Sequence, residues 1–199
     1  MKKLLATAIA LLALLAPVGA FAETAYEYTL DSYDINMVVN EDNTFDITEK
    51  IGAYFNVPKH GIFRKIPLKN EVVRLDGTKS YNRAKISGVM VSEQFTAYNE
   101  NGNKVVKIGD PDRTLTGAKH YTISYNYNIG KDTGKGYDDL YFNLIGNDWE
   151  DTTISNISFT ITMPKDFDKS KLGFSAGAKS STESKDVIFT VNANQELKS

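Results

Sequence analysis

The chain has 199 residues, two histidines, no cysteine and a formal net charge of −2 at pH 7. Without cysteine it has no disulfides, no thiolate metal ligands and no lipid-bearing cysteine, and a mildly acidic balance is a poor match for nucleic acid. Its length is ample to bury a core, as one large domain or two small ones.

The first residues read as an export signal. Lys2 and Lys3 precede the apolar run LLATAIALLALLA, Pro17 breaks it, and Ala20-Phe21-Ala22 supplies a small-residue cleavage site. The run is shorter than the roughly 20 apolar residues that cross a bilayer, so cleavage after Ala22 is expected in place of a retained anchor. Residues 23–199 then form a single extracytoplasmic domain with 21 basic and 25 acidic residues.

After the signal, apolar residues recur with period 2. Tyr26, Tyr28 and Leu30 occupy even positions, whereas Tyr33, Ile35, Met37 and Val39 occupy odd ones, so a bulge or corner is expected near Asp31-Ser32. After the turn EDN, Phe45, Ile47, Ile51, Ala53, Phe55 and Val57 continue the odd pattern, and the two runs read as a hairpin. VPKHGIFRKIPL follows, with one histidine and Arg64 among apolar residues and lysines. EVVRL is a short strand closed by Asp76-Gly77, AKISGVMV is another, and Asn101-Gly102 inside FTAYNENGNKVVKI marks a hairpin turn.

HYTISYNYNI places Tyr121, Ile123, Tyr125, Tyr127 and Ile129 on one face, and NISFTITMP does the same with Ile157, Phe159, Ile161 and Met163 before Pro164 ends it. The tyrosines are expected in the core with their hydroxyls at its rim. DVIFTV comes last, after the polar loop AGAKSSTESK. No segment after residue 22 sustains a helical period. The chain therefore reads as all-β, an antiparallel two-sheet sandwich of immunoglobulin-like type.

Chemistry-bearing residues are sparse. His60 and His120 are too few for a zinc site without carboxylates, and Asp110 and Asp112 in GDPDRTLTG lack the spacing of a calcium loop, so no metal or other cofactor is expected. Asp110 reads better as the side chain of a tight turn beside Pro111. There is no nucleophile elbow and no S-x-x-K, and the paired acids at Asp138-Asp139 and around Asp148 to Asp151 read as solvated loops. Trp149, just outside a strand, either plugs the end of the fold or marks a contact site.

Glu49 is the sharpest anomaly, being the only odd position from 45 to 57 that is not apolar. An unbulged strand aims its carboxylate at the core, where a lone charge is not tolerated. Arg64 is the nearest partner in sequence. HGIFRKIP would then be a crossover that returns the arginine to Glu49, with Gly61 permitting the turn and His60 capping it.

Taken in order, YDINMVVNEDNTFDITEKI, HGIFRKIP, KIGDPDRTLTG, HYTISYNY, LYFNLIGNDW and ISNISFTITMP resemble the extracellular amino-terminal part of bacterial predicted membrane proteins, domain of unknown function 2207. The resemblance spans about residues 25–175. It implies a β-sandwich displayed outside the cell, usually carried by transmembrane helices near the carboxyl end, with no enzyme activity assigned. Asn143 and Gly146 of LYFNLIGNDW join the structural or binding candidates. Family members continue into further strands, so membrane anchoring is expected only if the natural chain runs past Ser199, and residues 187–191 are expected to form an exposed edge.

The expectation is a non-catalytic, exported display or interaction module of the cell envelope, meeting an envelope protein or wall polymer and not nucleic acid. A binder of cell-wall or capsular carbohydrate comes second and a hydrolase third.

Overall fold

Alternation that buries every second side chain builds the first hairpin. In the computed structural model, β1 (Tyr28–Val39) and β2 (Thr44–Lys59) pair antiparallel, with Ile35 opposite Glu49 and Met37 opposite Ile47. The register shifts between Leu30 and Ser32, at the position where the apolar residues change from even to odd. Residues 26–73, 77–131, 140–146, 149, 152–174, 187–191 and 196–198 are described. The leader, Asp76, Asp138-Asp139, Asp148, Glu150-Asp151 and the loop AGAKSSTESK lie outside them.

Only His60 separates β2 from β3 (Gly61–Pro67). Next come the hairpin of β4 (Lys69–Val73) with β5 (Lys79–Arg83), then β6 (Lys85–Val91), β7 (Phe95–Glu100), β8 (Asn103–Gly109) and β9 (Leu115–Asn128). Asn101 and Gly102 both take positive φ, 47° and 78°, which matches the right-handed strand twist in a two-residue turn between β7 and β8. β10 (Ile157–Thr162), a 3-10 turn at Lys169–Lys171, β11 (Thr190–Val191) and β12 (Glu196–Lys198) complete the described elements.

The strands form a seven-stranded sheet in the order β11-β12-β10-β1-β2-β9-β6, a three-stranded sheet β3-β8-β7 and the β4-β5 hairpin. Tyr33, Ile35, Met37, Ile47, Ile51, Tyr121 and Ile123 from the larger sheet share one buried cluster with Ile62, Ile66, Val106 and Ile108 from the smaller. The fold is all-β.

The antiparallel expectation needs one correction, because β1 and β10 pair in parallel, from Tyr33 opposite Ile157 to Val38 opposite Thr162. Alternation carries no strand direction, and parallel neighbours need only a long connection between them. Two apolar positions also differ. Val57 is exposed because the β2–β9 register shifts after Phe55, and Ile157 is exposed at the first residue of β10. The terminal strand of the larger sheet is β11, and the β12 that pairs with it was not apparent from the sequence pattern.

Candidate functional site

Two neighbouring strands change sheets at one corner. β2 pairs with β9 in the larger sheet, and their continuations β3 and β8 pair in the smaller one, so the ribbon folds over at His60-Gly61 and at residues 109–114. Gly61 (φ 145°) and Gly109 (φ 130°) face each other there. A Cβ on Gly61 would sit 1.9 Å from the Ile108 carbonyl oxygen, and one on Gly109 would sit 1.9 Å from that of His60. Only glycine fits either position.

His60 closes the corner from outside. Its Nδ1 is 3.1 Å from both the Asp110 and the Arg113 carbonyl oxygens. Two acceptors require an N–H, so the proton sits on Nδ1. Asp110 Oδ1 accepts from the Asp112 amide at 2.9 Å, the side-chain turn expected of it, and Asp112 is exposed.

Four residues past the corner, Arg64 points between the sheets to Glu49. Arg64 Nε donates to Oε2 at 2.8 Å and Nη2 to Oε1 at 2.9 Å, a two-pronged pair with exposures of only 3 % and 1 %. Arg64 Nη1 also donates to the Lys65 carbonyl. Tyr33 donates its hydroxyl to Oε2 and Tyr125 donates to Oε1, each at 2.7 Å. The carboxylate thus accepts four charge-assisted bonds, which offset its loss of water.

Burial pushes the Glu49 carboxyl up, but the Arg64 charge and the hydrogen bonds from Arg64, Tyr125 and Tyr33 outweigh it and hold the group below the ordinary range. Burial lowers the Arg64 basicity, yet Glu49 more than restores it and the guanidinium is held well above its usual value. Burial, with Glu49 adding to it, raises Tyr33 and Tyr125 well above the usual phenol value.

Neither tyrosine was expected as a partner of Glu49, and the Tyr125 hydroxyl sits in the core, not at its rim as expected. Their signal lay in the register. Ile35 and Ile123 flank Glu49 on either side, so Tyr33 and Tyr125 are its diagonal neighbours, within reach of a long aromatic side chain. Tyr127 reaches the Pro67 carbonyl, and the Tyr121 hydroxyl is buried without a partner among the described residues.

The other candidates stand apart from the pair or beside it. Trp149 meets Tyr33 edge-on at 5.8 Å, packed against the core, and its Nε1 has no hydrogen-bond partner among the described residues. Asn143 is exposed and Gly146 half-buried in the segment 140–146, where Phe142 packs edge-on against Phe45 and Tyr127 at 5.7 and 5.3 Å. His120 is exposed on β9, and among the described residues no three of His, Asp and Glu converge as metal ligands. No helix among the described residues is long and apolar enough to cross a membrane.

Among curated proteins nothing matches the chain. Solved structures with a similar course include an M1 zinc metallopeptidase variant from Deinococcus radiodurans bound to a Tyr-Ser-Ala substrate, at 12% identity and TM-score 0.42 over 86% of this chain. Another is the M1 zinc metallopeptidase from Deinococcus radiodurans, at 11% identity and TM-score 0.40 over 87% of this chain. The chain spans 38% of the length of each, and at such scores the likeness bears on no residue described above. A family profile described as the N-terminal domain of a predicted membrane protein matches residues 29–198. The stretches that build the corner and the buried pair lie inside that match, and the chain belongs to the predicted membrane proteins that carry domain of unknown function 2207.

Proposed function

We propose that the chain is a non-catalytic interaction module, an immunoglobulin-like sandwich exported through its cleaved leader and displayed on the outer side of the membrane by its family's membrane segments. The observation that carries this reading is how the buried charges are used. Among the described residues Glu49 and Arg64 are the only buried charged groups; Glu49 is consumed by Arg64 and two tyrosines, and Arg64 by Glu49 and the Lys65 carbonyl. A catalytic carboxylate has to reach substrate. This one joins two sheets. His60 is likewise occupied by two carbonyls.

Labelling of intact cells with a membrane-impermeant amine reagent tests display. The domain is expected to be labelled without lysis, with an amino terminus at Glu23; a label that appears only after lysis overturns it. Turnover of peptide, ester or glycoside substrates that is lost on His60→Ala would favour a hydrolase instead.

A wall or capsular carbohydrate is the second reading, favoured by the outward face of the larger sheet. There Asp34, Asn36, Thr48, Asp46, Ser124 and Asn126 form an array of short hydrogen-bonding side chains across β1, β2 and β9. Binding of purified wall polysaccharide that is lost on Asn36→Ala with Ser124→Ala would support it, whereas loss on Trp149→Ala alone would reflect the packing beneath Tyr33.

A further inference from the structure

The outward face of the smaller sheet differs in kind from that polar array. On β3 it presents Phe63 and Lys65, on β8 Val105 and Lys107, and on β7 Thr96 and Tyr98. Phe63 is 49 % and Tyr98 41 % exposed, whereas Val105 between Lys65 and Tyr98 is only 2 % exposed. Lys107 Nζ lies 5.8 Å from the centre of the Phe63 ring. The single acid of this face, Glu100, sits at its turn end opposite Asn103.

Charge along the chain is segregated in the same way. Between residues 61 and 107 there are nine Lys and Arg against four Asp and Glu, in a chain whose net charge is negative. One of the nine, Arg64, is buried in its ion pair, and the rest include Lys65 and Lys107 on this face and Lys69 and Arg83 on the adjoining β4-β5 hairpin. The stretch that supplies all three strands of this face is therefore net cationic, and the face carries exposed aromatic rings.

We propose that this face, through Phe63, Lys65, Tyr98 and Lys107, docks the domain onto the anionic headgroups of a phospholipid bilayer. Lysines and amphipathic aromatic rings together are what a membrane interface accepts, the ammonium groups meeting phosphates and the rings lying at headgroup depth. The inference rests on the reading of a domain displayed beside the membrane that carries it. Such docking would hold the domain flat on that membrane and leave the polar face of the larger sheet turned outward.

The test is co-sedimentation of the purified protein, without its leader, with vesicles of phosphatidylcholine alone or mixed with phosphatidylglycerol. Partition onto the anionic vesicles is expected to exceed that onto the neutral ones by about tenfold, and to fall as salt screens the contact. Lys65→Glu with Lys107→Glu should abolish the difference, and Phe63→Ser should weaken binding severalfold. Lys50→Glu, on the outward face of the larger sheet, should leave it intact. Circular dichroism verifies that each variant is folded. Equal partition onto both vesicles, equal loss with Lys50→Glu, or binding only to soluble poly(glycerol phosphate) overturns the proposal. Vesicle binding is read in vitro, so its failure is distinguishable from a failure of display on cells.

Discussion

The carboxylate of Glu49 is the residue on which the two sheets converge, and its energetics follow from burial. Removing one member of a buried pair strands the other charge, at a cost of about 3–5 kcal/mol, whereas an exposed pair loses roughly 0–1. Urea unfolding of Glu49→Ala, Arg64→Ala and the double variant should therefore show coupling above about 1.5 kcal/mol, and additive losses would contradict the pair. Tyr125→Phe removes a hydrogen bond to a charged acceptor and should cost about 1.5–3 kcal/mol, well beyond what its small change in volume explains.

The same groups set the pH limits of the fold. Glu49 is held below its ordinary range, so its contribution is fully present above about pH 4.5 and is lost as pH falls through its lower folded value. The slope of stability against pH in acid should be flatter in Glu49→Gln. At the alkaline end, burial first and the Glu93 charge second push Tyr121 up to about 12, and Tyr33 and Tyr125 are raised as well. Their contribution is present below about pH 10 and is lost as pH rises through the folded values. Spectrophotometric titration should find at least three of the eleven tyrosines resisting ionisation until the protein unfolds. Ionisation of all eleven at ordinary pH values would contradict that burial.

Among the elements, the ribbon made by β2 with β9 and β3 with β8 depends on its glycine corner. Gly88 and Gly109 both take positive φ, but a Cβ on Gly88 meets open space and one on Gly109 meets the His60 carbonyl. Gly109→Ala should thus cost clearly more than Gly88→Ala, which pays only the conformational strain of about 1 kcal/mol. Equal losses, measured by urea unfolding, would mean that the corner has room. At the other end of the larger sheet, β11 is a terminal strand preceded by Ile188, which is 84 % exposed. An edge with no neighbouring strand among the described residues, beside an exposed apolar side chain, invites strand addition. Self-association at raised concentration should be reduced by Ile188→Lys in sedimentation velocity, and an unchanged profile would exclude that edge as its cause.

Over the whole molecule, the shared cluster and the cross-sheet pair join the two principal sheets, which are therefore expected to unfold as one cooperative unit. Trp149 is the chain's single tryptophan and packs on Tyr33, which donates to Glu49, so its fluorescence reports on the junction between the sheets. Its unfolding transition should coincide with that of the far-ultraviolet circular dichroism of the strands. A fluorescence change at lower denaturant would show the junction opening before the sheets melt.

Local alternation was enough to read the first hairpin, its bulge at Leu30/Ser32, the Asn101-Gly102 turn and the buried face of β9, because each depends on neighbours within one or two strands. The sole acid in an apolar series pointed to a buried charge at Glu49, and sequence proximity pointed to Arg64. Contacts between remote segments were decided only by tertiary structure. The parallel course of β10 beside β1 has no local signature, since a strand looks the same in either direction. Likewise, nothing near Tyr125 in sequence announces that its hydroxyl serves a carboxylate 76 residues away, a role that exists only once β9 lies in register beside β2. The aromatic and cationic face of the smaller sheet emerged in the same manner. Phe63, Tyr98 and Lys107 come from three strands, and the two strand registers that set them side by side are fixed by the packing of the residues on the opposite face.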